Sequence, residues 1–143
     1  MPSLDGRARA YTEAMAPLPG RTAAILVADD DALVRAVLRM ALVAHGHTVV
    51  EAFDAASVAE VDAQVPIAIA ILDINMPGGT VHDSLDALAA RRPMPAVLLL
   101  SGDDRPDAAV LARVAGLARK PIELDELHAR VAALLSAAPQ PEH

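Results

Sequence analysis

Five polar side chains stand directly after apolar runs. Asp29 and Asp30 follow Ala23-Ala24-Ile25-Leu26-Val27-Ala28, and Asp73 follows Ile67-Ala68-Ile69-Ala70-Ile71-Leu72. Ser101 follows Ala96-Val97-Leu98-Leu99-Leu100, and Lys120 follows Gly116-Leu117-Ala118-Arg119. Carboxylates, a hydroxyl and an ammonium are the groups from which a phosphoryl-transfer site can be built. The carboxylates hold a hard divalent cation, one of them acts as nucleophile, and the ammonium neutralises phosphoryl oxygens. Two carboxylates 4 Å apart repel by about 4 kcal/mol at an effective dielectric of ~20. Without a cation, one of three crowded together would keep its proton. Ser101 can donate a hydrogen bond to the same group, and Gly102 leaves the flank open.

These residues converge only if their runs are neighbouring strands. Each run is short, continuous and aliphatic, the pattern of a strand buried on both faces of a parallel sheet. Between them lie helical patterns. Leu33, Val34, Val37, Leu38, Ala41 and Leu42 form an amphipathic stripe that stops near His45-Gly46, and Asp54 caps a short helix reaching about Asp62. Val81–Arg91 reads as a third helix. Pro106 suits the first turn of a fourth, which carries Val110, Leu111 and Val114. Leu124, Leu127, Val131, Leu134 and Leu135 mark the fifth. Thr48–Ala52 supplies the remaining strand. Five strands alternating with five helices predict an α/β fold with a doubly wound five-stranded parallel sheet, order 2-1-3-4-5 and helices on both faces. That order sets strands one and three side by side and collects the polar residues on one rim.

Composition narrows the rest. The chain has 143 residues, a net charge of -7, no cysteine, one Phe, one Tyr and no Trp. The core must therefore be aliphatic. The charge and the lack of a basic run or aromatic stacking platforms argue against a nucleic-acid partner. Thiol chemistry and disulfides are excluded, and no apolar run is long enough for a membrane span, so a cytoplasmic domain is expected. The boundaries read as a flexible leader over 1–22, a folded domain over 23–136 and a disordered tail over 137–143.

The segments Ile25-Leu26-Val27-Ala28-Asp29-Asp30-Asp31, Leu72-Asp73-Ile74-Asn75-Met76-Pro77, Leu100-Ser101-Gly102 and Lys120-Pro121-Ile122 resemble the receiver domains of two-component response regulators. The resemblance covers about residues 23 to 136. It implies a flavodoxin-like fold and Mg²⁺-dependent (or Mn²⁺-dependent) transfer of a phosphoryl group to Asp73 from a histidine kinase or histidine phosphotransfer protein. It also implies that Asp30, Asp73 and the backbone carbonyl of Asn75 contact the metal, with Asp29 acting mainly through water. Lys120 pairs with the phosphoryl oxygens, and the Lys120–Pro121 bond is cis. The domain would promote only its own phosphotransfer and dephosphorylation. It would signal by contact with a downstream protein target, and a homodimer is left open.

Two positions depart from the pattern. Leu117 stands where the family usually carries an aromatic switch residue, so rotation of a tyrosine ring cannot be the output signal. The usual Asp-Gly pair after Met-Pro is replaced around Gly78-Gly79-Thr80-Val81. Few residues follow the last helix, which reads as a stand-alone receiver. Asp31 is expected to cap the first helix, and the histidines His45, His47, His82, His128 and His143 to lie on the surface. Asp103, Asp104 and Asp107 read as helix-start carboxylates. The competing readings are a degenerate receiver that binds partners without phosphorylation, a sink for a shared kinase's phosphoryl groups, and a phosphatase of the haloacid dehalogenase type with Asp29 as nucleophile.

Overall fold

A computed structural model describes residues 23–102 and 105–137. The chain alternates β1 (Ala24–Ala28), α1 (Ala32–Ala44), β2 (Val49–Ala52), α2 (Ala55–Glu60), β3 (Ile67–Asp73), α3 (Val81–Ala89), β4 (Ala96–Ser101), α4 (Ala108–Leu111), β5 (Gly116–Arg119) and α5 (Leu124–Ala137). All strand pairs are parallel, in the order β2-β1-β3-β4-β5. This is the doubly wound, flavodoxin-like sheet expected from the strand and helix pattern.

The period-two geometry of strands explains how one aliphatic run feeds two cores. Leu26 and Ala28 of β1 and Ala70 and Leu72 of β3 pack with Val58, Leu85, Leu88 and Val110, which come from α2, α3 and α4. Ile25 and Val27 with Ile69 and Ile71 pack instead with Leu38, Leu42, Leu127 and Val131 from α1 and α5. With both faces covered, the strand ends are the part of the sheet left for polar groups.

Caps fix where the helices begin. Asp31 accepts from the N–H groups of Leu33 and Val34 and starts α1. Asp54 and Ser57 form a reciprocal capping box on α2, and Thr80 and Asp83 form another on α3. Gly78 and Gly79, at φ +82° and +151°, turn the chain into that second box. A Cβ on Gly79 would lie 2.7 Å from Asp83 Oδ2 and 3.0 Å from Ala55 Cβ, so the turn into this box has no room for a side chain there.

Several boundaries differ from the expected ones. The second and third helices stop earlier, at Glu60 and Ala89. The fourth spans only Ala108–Leu111 and does not include Val114. Arg113 N–H already bonds to Val110 O, a tightening turn that lets the chain reach β5 at Gly116. Asp107 is its N-cap, so Pro106 precedes the helix rather than occupying its first turn. Ala137, assigned above to the tail, is the last residue of α5. The leader over 1–22, the rest of the tail, Asp103, Asp104 and His143 lie outside the described residues.

Candidate functional site

Register brings the strand ends together. Ala28 pairs with Leu72, Asp73 with Leu100, and Ser101 with Arg119. Main-chain hydrogen bonds continue this alignment beyond the strands: Asp29 N to Ala52 O at 3.1 Å, Ile74 N to Leu100 O at 3.0 Å and Lys120 N to Ser101 O at 2.8 Å. The rim thus carries Asp29, Asp30, Asp73, Ser101 and Lys120 side by side.

Asp29 is fully buried, Asp73 and Ser101 are buried, and Asp30 is exposed. One carboxylate oxygen from each of Asp29, Asp30 and Asp73 lies within 4.8 Å of the others. Such an all-oxygen, anionic donor set suits a hard divalent cation of the Mg²⁺ or Mn²⁺ type, and offers none of the imidazole or thiolate ligands that zinc prefers. The loop after β3 folds back on the same pocket, with Asn75 N–H donating to Asp73 Oδ1 at 3.2 Å. The Lys120–Pro121 bond is cis, as the resemblance implies.

Lys120 Nζ lies 3.0 Å from Asp29 Oδ2 and 3.4 Å from Asp73 Oδ1. Burial pushes the Asp73 carboxyl above its ordinary range, and the charge of Asp29 pushes the same way. The Asn75 N–H and Lys120 oppose them without cancelling them. Burial alone would pull Lys120 down. The hydrogen bond and charge of Asp29, followed by Asp73, nevertheless hold it above its usual value. The two shifts agree with the distances: Lys120 is first the partner of Asp29 and only second that of Asp73.

Several side-chain contacts, one of them at the rim, escaped sequence reasoning. Arg35 donates from Nη1 to the main-chain oxygen of Asp29 at 2.7 Å, while its Nε sits 3.2 Å from Glu51. The only hint was an arginine one turn inside the first helix beside an apolar stripe. Arg113 reaches from the end of α4 to Asp86 at 2.6 Å and to His82 Nδ1 at 3.0 Å, both on α3. Of the histidines expected on the surface, His45 is exposed. His47, His82 and His128 are half-buried, and His128 stacks on His45 with ring centroids 3.5 Å apart. Burial, then the neighbouring His45 and His128, lowers the pKa of His47. Leu117 is half-buried and packs on the α2–α3–α4 core.

A rim of acids at the ends of β1 and β3, opposed by a lysine after β5 of a 2-1-3-4-5 sheet, defines a class, and comparison with known proteins identifies the same one. Residues 25–132 match the response regulator receiver domain family, and the chain belongs to it. It is 36% identical over 118 residues to the transcriptional regulatory protein TctD of Salmonella typhimurium, an alignment covering 78% of this chain and 51% of TctD. The chain thus spans about half the length of the curated relatives it matches. Among solved structures, the CheY-like receiver domain protein of Methanospirillum hungatei JF-1 superposes with a TM-score of 0.72 at 21% identity, over 80% of this chain and 94% of that one. The receiver domain of NtrX from Brucella abortus gives 0.69 at 28% identity, over 80% and 99%. Among the described residues, no helix is long and apolar enough to cross a membrane.

Proposed function

We propose that Asp73 is the phosphoacceptor of this receiver domain, taking a phosphoryl group from a histidine kinase or a histidine phosphotransfer protein with Mg²⁺ or Mn²⁺ as cofactor. The observation that carries this reading is the pocket of Asp29, Asp30 and Asp73 closed on one side by Lys120. Asp30, Asp73 and the Asn75 carbonyl would hold the cation, with Asp29 behind them. When bound, the metal offsets the negative charge of the phosphoryl oxygens.

Both described contacts of Asp73 fall on Oδ1, from Asn75 N–H and Lys120. This supports Oδ2 as the attacking oxygen. Its lone pair forms the new O–P bond, the P–N bond to the donor imidazole breaks, and the electron pair leaves with that nitrogen. The product is an acyl phosphate on Asp73. Lys120 neutralises a phosphoryl oxygen, and the Ser101 hydroxyl donates to another. A Cβ on Gly102 would meet nothing within 4 Å among the described residues, which leaves room for the donor to approach. Asp29 suits the nucleophile's role poorly, because it is fully buried and both its oxygens are engaged, by Asp31 N–H and by Lys120.

Phosphorylation adds roughly 1.5–2 negative charges at this rim and is read out through protein contacts. An attached output segment and a receiver acting alone share this chemistry. The test is intact mass after incubation with a small phosphodonor and Mg²⁺. A gain of one phosphoryl group is expected, abolished by chelator and by Asp73→Ala. No gain, together with no binding of a beryllofluoride analogue, would leave the domain as an interaction module.

A further inference from the structure

The carbonyl oxygen of Asp29 belongs to the peptide plane that joins Asp29 to Asp30. Because that unit is rigid, holding its oxygen orients the Cα atoms of both acids. Arg35 Nη1 holds it at 2.7 Å. Asp29 N–H is tied to Ala52 O at 3.1 Å, and Asp29 Oδ1 accepts from Asp31 N–H at 2.9 Å. Asp29 is therefore held through its carbonyl, its amide and its side chain, and Arg35 is the group that holds the carbonyl shared with Asp30.

The clamp itself has a foundation. Glu51 faces Arg35 at 3.2 Å through one oxygen and Arg39 at 3.0 Å through the other, and the Arg35 guanidinium lies over Phe53 at 5.9 Å. Glu51, Ala52 and Phe53 are consecutive, so one short segment at the end of β2 anchors both the arginine and the Asp29 amide. Arg35 has only 19% of its side chain exposed, and its charge is countered by Glu51 rather than directed at the carboxylates.

We infer that Arg35 is a positioning residue for the cation site: it sets the attitude of the Asp29–Asp30 peptide and so tunes metal affinity without touching the metal. The inference rests on the metal-dependent reading proposed above. Groups behind the direct ligands commonly change metal affinity by ~10–100-fold when removed. A purely structural role, bridging α1 to β2 through Glu51, would be shared with Arg39. A positioning role would not.

The experiment is a calorimetric titration of the metal-free full chain with Mg²⁺, comparing wild type, Arg35→Met, Arg35→Lys and Arg39→Met. Affinity is expected to fall about tenfold in Arg35→Met, to recover in part in Arg35→Lys, and to stay near wild type in Arg39→Met. Phosphoryl uptake by Arg35→Met should return to the wild-type level at saturating Mg²⁺. Wild-type affinity in Arg35→Met, an equal loss in Arg39→Met, or uptake that stays low at saturating Mg²⁺ would overturn the inference. If Arg35→Met does not fold, Arg35→Lys against Arg39→Lys decides by the same criterion. Wild type that binds no Mg²⁺ would instead remove the reading beneath it.

Discussion

The rim at the ends of β1, β3 and β5 and the Arg113 tie between α3 and the end of α4 are built on opposite terms. At the rim, Asp29 and Asp73 are 0% and 5% exposed, and main-chain hydrogen bonds and Lys120 hold them. Across the sheet, α4 is a single turn, and its far end is tied to α3 by Arg113 gripping an Asp86 side chain that is 69% exposed. On the proposed function the rim charges would meet a metal and a phosphoryl group, and fixed spacing in a buried rim suits that role. The Arg113 tie is polar and largely solvated, although Leu85, Leu88 and Val110 of the same two helices are buried in the core. The contrast is between a buried, fixed cluster of charges and a solvated tie whose loss should cost little.

The largest expected effect is at the rim. Lys120→Met leaves the buried Asp29 carboxylate without its partner and should cost about 3 kcal/mol in metal-free buffer. Urea unfolding measures it, and a loss below about 1 kcal/mol would mean that the pair behaves as a surface contact. Asp73→Asn should act in the opposite direction. The carboxyl of Asp73 is raised in the folded state, so between its unfolded value and its folded value the native protein holds more protons than the unfolded chain. Stability contributed by the protonated form is therefore lost as pH rises through the folded pKa. At pH 7 without divalent ions, Asp73→Asn should melt a few degrees above wild type, and the advantage should vanish below about pH 4. An advantage that persists in acid would need another cause. The smallest effect belongs to the second region. Arg113→Ala should cost under about 1 kcal/mol, less at high salt, because the pair it breaks is largely solvated. A loss as large as that of Lys120→Met would erase the contrast.

The extent to which the sequence foretold this molecule follows from the same physics. Apolar runs ending in polar residues and alternating with helical patterns read as parallel strands, so the sheet order and the gathering of Asp29, Asp30, Asp73, Ser101 and Lys120 were legible. Register does the gathering, and register follows from burial. The caps Asp31 and Asp54 were readable because they act within three residues of themselves, whereas Pro106 in the expected first turn hid the cap at Asp107. What stayed hidden depends on long side chains crossing between elements. Arg35 reaching back to Asp29, Arg113 crossing to His82, and His45 stacking on His128 leave no periodic trace. The short α4 was missed for a related reason: Val110, Leu111 and Val114 keep helical spacing, while the need to enter β5 at Gly116 ends the helix first.

The central claim is that one particular carboxylate of the acidic rim carries the phosphoryl group. Its most direct test is to treat the phosphorylated chain with borohydride, which reduces an acyl phosphate to an alcohol, and to map the converted residue by peptide mass spectrometry. Conversion of Asp73 to homoserine, at that position and no other, is the predicted result. Conversion at Asp29 or Asp30 instead would contradict the account, because it would make the buried partner of Lys120, or its exposed neighbour, the nucleophile.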